Sequence, residues 1–273
     1  MKRPAWTAAG VCLVLAWWCA QQPVAPEHPP GEHLRVVSAN LFLANRADPK
    51  DVAQALLALQ PDVLLLLEWT GKNMDRQVLV DGGLGLHVDH PHSRTAGIGL
   101  AMSSRVAGAA TVLREGGRGP CAMPAAAARI LWDGLGVSVL GVHPPPPVPG
   151  CGGLTGASLG DYASWVTNGR AQGGPLPLQD GDPVVILGDL NTLPVDPSLS
   201  VLRDHGLRDG IVESSWLPSP SWPVLPGGWA LGRIDGVWVP PHMDVVDGGT
   251  VEVPGSDHRA VWVDLHTRFD PAR

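Results

Sequence analysis

The sequence predicts an α/β protein whose β-sheets are covered by helices. Three observations carry this. Short apolar runs recur along residues 34–268, and several are nearly continuous in Val, Leu and Ile, as strands buried on both faces require. Two segments between them space their apolar residues as helices do. No repeat, heptad or second block of composition divides residues 34–268, so these elements belong to one domain.

The elements follow in chain order. Lys2 and Arg3 precede an uncharged stretch lasting to Glu27, and within it residues 8–20 read AAGVCLVLAWWCA. Such a run is shorter than the roughly 17–25 residues of a spanning helix and suits the hydrophobic part of a signal peptide. Residues 1–25 are read as a cleaved signal or an uncleaved anchor, both of which imply export to the outside of the cell or the outer face of its membrane; the alternative is a buried N-terminal helix. Residues 26–33 form a Pro-rich linker. RVVSAN (35–40) is the first expected strand. Residues 47–60 then form a helix, with Val52, Ala55, Leu56 and Leu59 on one face and Pro49 in the first turn. PDVLLLLE (61–68) and GIGLAMSS (97–104) are the next strands.

ARILW (128–132) and GVSVLGVH (136–143) flank a DGLG turn and read as a β-hairpin that pairs Trp132 with Val137. Extended outward, that hairpin brings Cys121 and Cys151 to similar heights. A disulfide between them is expected in an oxidising compartment. PVVILGDLN (183–191) precedes a second helix at 196–206, ended by Gly206. RIDGVWV (233–239) and HRAVWVDL (258–265) complete the strands.

Polar residues cluster where these runs end or begin. Asn40, Glu68, His143, and Asp189 with Asn191 close four runs; Asp235 and the pair Asp257–His258 open two more. Where strands pair antiparallel, the start of one lies beside the end of its neighbour. All six sets are therefore expected at one rim. Carboxylates and amides without a cysteine cluster suit a hard cation such as Mg²⁺.

In this order, SAN (38–40), PDVLLLLE (61–68), GVH (141–143), GDLN (188–191), RID (233–235) and SDH (256–258) resemble the motifs of the endonuclease/exonuclease/phosphatase superfamily, the DNase I-like metal-dependent phosphohydrolases. The resemblance implies a four-layer α/β sandwich of two mixed β-sheets flanked by helices. It implies Mg²⁺ as cofactor, with Mn²⁺ as a substitute, held by Glu68 with Asn40 and with Asp257 close by. Asp189 would orient or deprotonate the attacking water, and Asn191 would hold a phosphate oxygen. His258 would stabilise the pentacovalent phosphate with Asp235 behind its ring. His143 would be the second imidazole on the phosphate, and Arg129 a phosphate contact from the adjacent strand. Leu67 and Leu190 replace residues usual in the family, but both flank the chemistry.

Composition narrows the function. Apolar residues make up 44% and charged residues 16%, which excludes a disordered chain. The formal charge is −7, and lysine occurs only at positions 2, 50 and 72. A nucleic-acid coat protein needs a cationic surface and is excluded, while a metal-dependent nuclease is not. The expected function is that of an exported monomeric phosphohydrolase. It would cleave a phosphodiester, phosphomonoester or pyrophosphate, with a lipid-linked phosphate as an attractive substrate. Trp69, Trp216, Trp222 and Trp229 are candidates to touch that substrate or a membrane; the last three, in a Pro-rich stretch, could instead cover the core under a long loop. The alternatives are a secreted nuclease, with Trp stacking on unpaired bases, and a non-catalytic secreted binding domain on the same fold.

Overall fold

The computed structural model describes residues 33–92, 97–114, 121, 124–151, 158–162, 164, 170–171, 174–175, 182–214 and 219–267. The segments expected as signal or anchor and as linker, together with Trp216, lie outside the described residues, apart from His33. Two six-stranded sheets dominate. Read across, the first contains β15 (Met243–Glu252), β16 (Arg259–Thr267), β1 (Leu34–Asn40), β2 (Val63–Leu67), β4 (Ile98–Ser103) and β3 (Leu84–His90). The second contains β11 (Arg208–Asp209), β14 (Asp235–Val239), β10 (Val184–Asp189), β7 (Leu135–Val142), β6 (Ala125–Trp132) and β5 (Ala107–Arg114). Two short ribbons pair β12 (Trp222–Val224) with β13 (Ala230–Gly232), and β8 (Arg170–Ala171) with β9 (Gly174–Pro175). Both large sheets are mixed: β1 runs parallel to β2 and β7 to β10, while their other pairings are antiparallel.

The period of two along each strand sorts the core into layers. Val36, Val63, Leu65 and Leu67 of the first sheet meet Ala126, Ala128, Val139 and Leu187 of the second in the central layer. Alternate residues of the first sheet, including Val37, Leu64 and Leu66, pack outward on helix α1 (Pro49–Leu57) through Val52, Ala53 and Leu56. Outward residues of the second sheet pack with Tyr162, Leu199 and Leu202. The result is the expected four-layer sandwich. Each fully buried Val, Leu or Ile contributes roughly 1.5–3 kcal/mol, so the central layer holds the two sheets together.

Local sequence sets the element ends. Asp48 caps α1, its side chain accepting from the Lys50 N–H at 2.9 Å, and Pro49 fits the first turn. Ala53 rather than Ala55 is fully buried on the inner face. Helix α2 (Arg76–Asp81) is capped by Asp75. At 196–206, Asp196 caps a short 3₁₀ turn (Pro197–Leu199) that runs into α3 (Ser200–Asp204), and Gly206 leaves the helix with φ +79°. Helix α4 (Gly210–Ser214) follows.

The β6–β7 hairpin forms with its register shifted from the expected one. Trp132 pairs with Leu135, not Val137, because the turn is only Asp133–Gly134, both with positive φ. A two-residue turn of that conformation matches strand twist. Cys121 and Cys151 are joined as a disulfide spanning 30 residues, with Cα atoms 5.4 Å apart.

Candidate active site

Strand pairing brings the polar run-ends to one rim. Asn40 ends β1 opposite Leu67 of the parallel strand β2, so Glu68 follows beside it. Asp189 ends β10 opposite Asp235, the first residue of antiparallel β14. Val142 pairs with Gly188, which sets His143 beside Asp189. A Cβ on Gly188 would lie 1.8 Å from the Val142 carbonyl oxygen. Only glycine allows β7 and β10 to approach this closely while the backbone adopts φ +153°. His258 precedes β16, the antiparallel neighbour of β1.

The side chains connect across both sheets. Asn40 Nδ2 donates to Glu68 Oε1 at 3.3 Å and to Asp189 Oδ2 at 3.1 Å. The Leu43 N–H donates to Glu68 Oε2 at 2.6 Å. Asp189 Oδ2 lies 3.5 Å from His143 Nε2 and 3.8 Å from His258 Nε2. Its Oδ1 accepts the Asn191 N–H at 2.8 Å. His258 Nδ1 bonds to Asp235 Oδ2 at 2.9 Å. Asn191 donates to the Pro144 carbonyl at 2.9 Å, tying its loop to the segment after His143. Asn40, His143, Asp189, Asp235 and His258 are all buried.

This geometry divides the titrating groups. Burial and the neighbouring Asp235 raise Asp189 to about 7, against the opposing pull of His258 and its hydrogen bonds. Burial lowers His143 to about 4, outweighing the attraction of Glu68. Burial also disfavours charge on His258, but Asp235 and Asp189 overcome it and lift the ring to about 10. One imidazole is thus neutral and the other a cation at neutral pH. Because the folded value of His258 lies above its ordinary one, the charged ring stabilises the fold fully below pH 6.5, and this contribution fades as pH rises through about 10. In metal-free protein, the His258 ring proton followed by NMR should titrate near 10, and Asp235→Asn should bring the midpoint down toward the ordinary value. An unchanged midpoint in that variant would reject Asp235 as the source of the charge.

Three expected placements change. Arg129 is not at the rim: it pairs with Ser138 in the middle of the hairpin and its Nε donates to Asp182 at 2.7 Å, before the start of β10. Its side chain is held at the start of β10, whereas the site lies at that strand's end, so it is away from the phosphate chemistry. Asn40 is in the site but turns its amide nitrogen to the carboxylates, while its oxygen accepts the Phe42 N–H at 3.0 Å. Its nitrogen orients the carboxylates, and its oxygen, with one hydrogen bond made, keeps a second lone pair. Trp69 is buried, and its ring N–H is held by Asp89 at 3.0 Å, so it touches no substrate.

Two further contacts carry no motif in the sequence, although Trp222 is already a candidate to touch the substrate. Ser221 Oγ donates to Asp235 Oδ2 at 2.6 Å, extending the Asp235–His258 pair by one member. Trp222 Nε1 donates to Asp257 Oδ2 at 3.3 Å, and its ring centroid lies 6.2 Å from that of His258. Both sit in SPSWP, which carries no recognisable motif.

The donor set fits a divalent cation. Asp257 Oδ1 is buried and makes no hydrogen bond, and Glu68 is a half-buried carboxylate of the same rim, held by Asn40 and the Leu43 N–H. Asp189, Asp235 and His258 also offer three ligand atoms within 4.8 Å of one another. A protonated His258 already bonded to Asp235 is a poor ligand, however, since metal binding requires the neutral ring. Glu68 and Asp257 are therefore the better pair for the ion.

The family model described as Endonuclease/Exonuclease/phosphatase family matches residues 37–258. The chain belongs to that family. Its members are metal-dependent phosphoesterases and nucleases, and this endonuclease/exonuclease/phosphatase protein is an enzyme of that class. Its fold is similar to a humanised TDP2 of D. rerio, at 15% identity and TM-score 0.66 over 86% of this chain and 99% of that one. It is also similar to a mannosyl-6-phosphatase of Bacteroides thetaiotaomicron, at 17% identity and TM-score 0.63 over 85% and 99%. A family protein from Leptotrichia buccalis matches at 14% identity and TM-score 0.62 over 85% and 99%. No curated protein sequence matches.

Proposed function

We propose that the protein is an exported, monomeric, Mg²⁺-dependent phosphohydrolase acting on a phosphoester or pyrophosphate whose remaining part is a lipid. The observation that carries the reaction is the convergence of Asp189 with the Asp235–His258 pair at one buried point. Glu68 and Asp257 would hold the ion, with Mn²⁺ as a substitute. Bound there, it would neutralise charge on the phosphate and acidify water. Asp189, raised to about 7, accepts the proton of the attacking water as its oxygen bonds to phosphorus and the ester or anhydride P–O bond breaks. The cationic His258 faces the charge that develops on the phosphoryl oxygens, and Asp235 keeps its ring oriented and charged. Neutral His143 and Asn191 supply further polar contacts to the phosphate.

Two features support the lipid. Leu193, Trp222, Leu225, Trp229 and Leu231 are exposed apolar side chains in the segments that follow Asn191 and precede Asp235. Residues 219–232 contain no charged residue, which suits an apolar surface and not a polyanion. Export is supported by the apolar segment at 8–20 and by the disulfide. Among the described residues no helix is long and apolar enough to cross a membrane.

The test uses the full chain with Mg²⁺, Mn²⁺ or EDTA. Its substrates are a chromogenic diester, a monoester, a lipid pyrophosphate, a sphingolipid, plasmid and single-stranded DNA. Turnover should require the metal, vanish in EDTA, and favour the lipid phosphates. Preference for DNA would support the nuclease reading, and no metal-dependent turnover on any substrate would leave the non-catalytic binding domain.

A further inference from the structure

Asn73 belongs to none of the motifs above, yet it is buried and braces the loops that carry Glu68. Its Nδ2 donates to the Glu68 carbonyl at 2.9 Å and to the Phe42 carbonyl at 3.3 Å. Its Oδ1 accepts the Thr70 N–H at 3.1 Å, and its own N–H donates to Thr70 Oγ1 at 3.2 Å. Both carbonyls belong to residues in the left-handed region: φ is +53° at Glu68 and +59° at Phe42. Neither residue type favours that region, and such backbones persist where surrounding contacts over-determine them.

Those two conformations aim the site. The bend at Phe42 turns the Leu43 N–H onto Glu68 Oε2, while the Phe42 N–H is held by Asn40. The bend at Glu68 ends β2 and returns its carboxylate toward Asn40. The loop is closed on its other side by backbone bonds from Trp69 to Gly97 and from His92 to Trp69. One amide thus ties the loop after β1 to the loop after β2. Only a side chain with two N–H donors and an acceptor can make all three bonds.

We propose that Asn73 is a positioning residue that sets the Glu68 carboxylate for its divalent cation. The proposal rests on Glu68 being a ligand of that ion. Asn73 itself does not touch metal or substrate. Aspartate in its place would set a carboxylate against two carbonyl oxygens and reverse the interaction, so the near-isosteric change is as informative as truncation.

The test is a Mn²⁺ titration of the metal-stripped full chain, read by the paramagnetic resonance of free Mn²⁺. Glu68→Gln should abolish detectable binding. Asn73→Ala and Asn73→Asp should weaken it about 10–100-fold, the range for residues that orient metal ligands. Activity of Asn73→Ala on a chromogenic diester should recover toward wild type as Mn²⁺ is raised, with KM for the diester unchanged. Circular dichroism checks the fold. If Asn73→Ala does not fold, Thr70→Val replaces it, since it removes only the hydroxyl that seats Asn73 and should weaken Mn²⁺ binding in the same direction. Wild-type Mn²⁺ affinity in the folded Asn73 variant, or in Thr70→Val where that substitutes, overturns the proposal while leaving the ligand reading intact. Wild-type affinity in Glu68→Gln overturns the ligand reading, and this proposal with it.

Discussion

Asp189→Ala and His258→Ala each lower turnover of a chromogenic phosphodiester by more than about 10²-fold, because each group acts where charge or protons move in the transition state. Asp189 is the one carboxylate that contacts Asn40 and lies beside both imidazoles. Its burial gives it a proton affinity matched to neutral pH. Of the two imidazoles at the site, His258 is the one held as a cation. Asp189→Asn keeps the shape and removes the base, so its loss should match that of the alanine variant. The two losses should not add in the double variant, since the residues serve one step. Turnover within a few-fold of wild type in either single variant, at saturating Mg²⁺, would reject the site.

Asp264→Ala should lower unfolding stability by about 3–5 kcal/mol, the usual cost of stranding a buried charge. Arg35 and Asp264 face each other across β1 and β16. The contact is two-pronged, Nε to Oδ1 at 2.6 Å and Nη2 to Oδ2 at 2.7 Å, and both side chains are almost wholly buried. Arg35 also donates to the Leu59 carbonyl at 2.9 Å, and its guanidinium lies 5.4 Å from the centre of the Trp262 ring. With the carboxylate gone, the buried guanidinium loses both charge-assisted bonds of that two-pronged contact. The double change Arg35→Met with Asp264→Leu should recover most of the loss, since a buried ion pair is often no better than an apolar pair of similar size. Urea denaturation measures both. A loss under about 1 kcal/mol for Asp264→Ala, the level of an exposed pair, would show that water reaches Arg35.

Much of the sandwich is legible because its central strands are apolar on both faces. VLLLL of β2 and VVILGD of β10 allow no other reading. The strands that escape notice lie toward the sheet edges or have weak composition. AGAATVLR of β5 is mostly Ala and Gly before its last residues, and MDVVDGGTVE of β15 breaks its alternation at a bulge between Val245 and Asp247. The site is legible for a related reason: its residues terminate the readable strands. Asn73 and Ser221 are not, because each sits in a loop and acts through contacts the chain direction does not encode. Arg129 misleads because a residue on a strand adjacent to the site can still lie at the wrong end of it.

The site is shared between the two sheets. Asn40, Glu68 and His258 come from the rim of one, and His143, Asp189 and Asp235 from the rim of the other. The gap between the plates is therefore a working dimension of the enzyme, like the jaw of a caliper. Its spacer is the apolar filling: a Cβ on Gly141 would come within 2.4 Å of Leu65, across the plates and just beneath the rim that carries His143 and Asp189. A single methyl inserted there would press on Leu65, and the filling between the plates would have to shift to take it. Residues with no chemistry of their own thus hold the tolerance to which the two halves of the site are set.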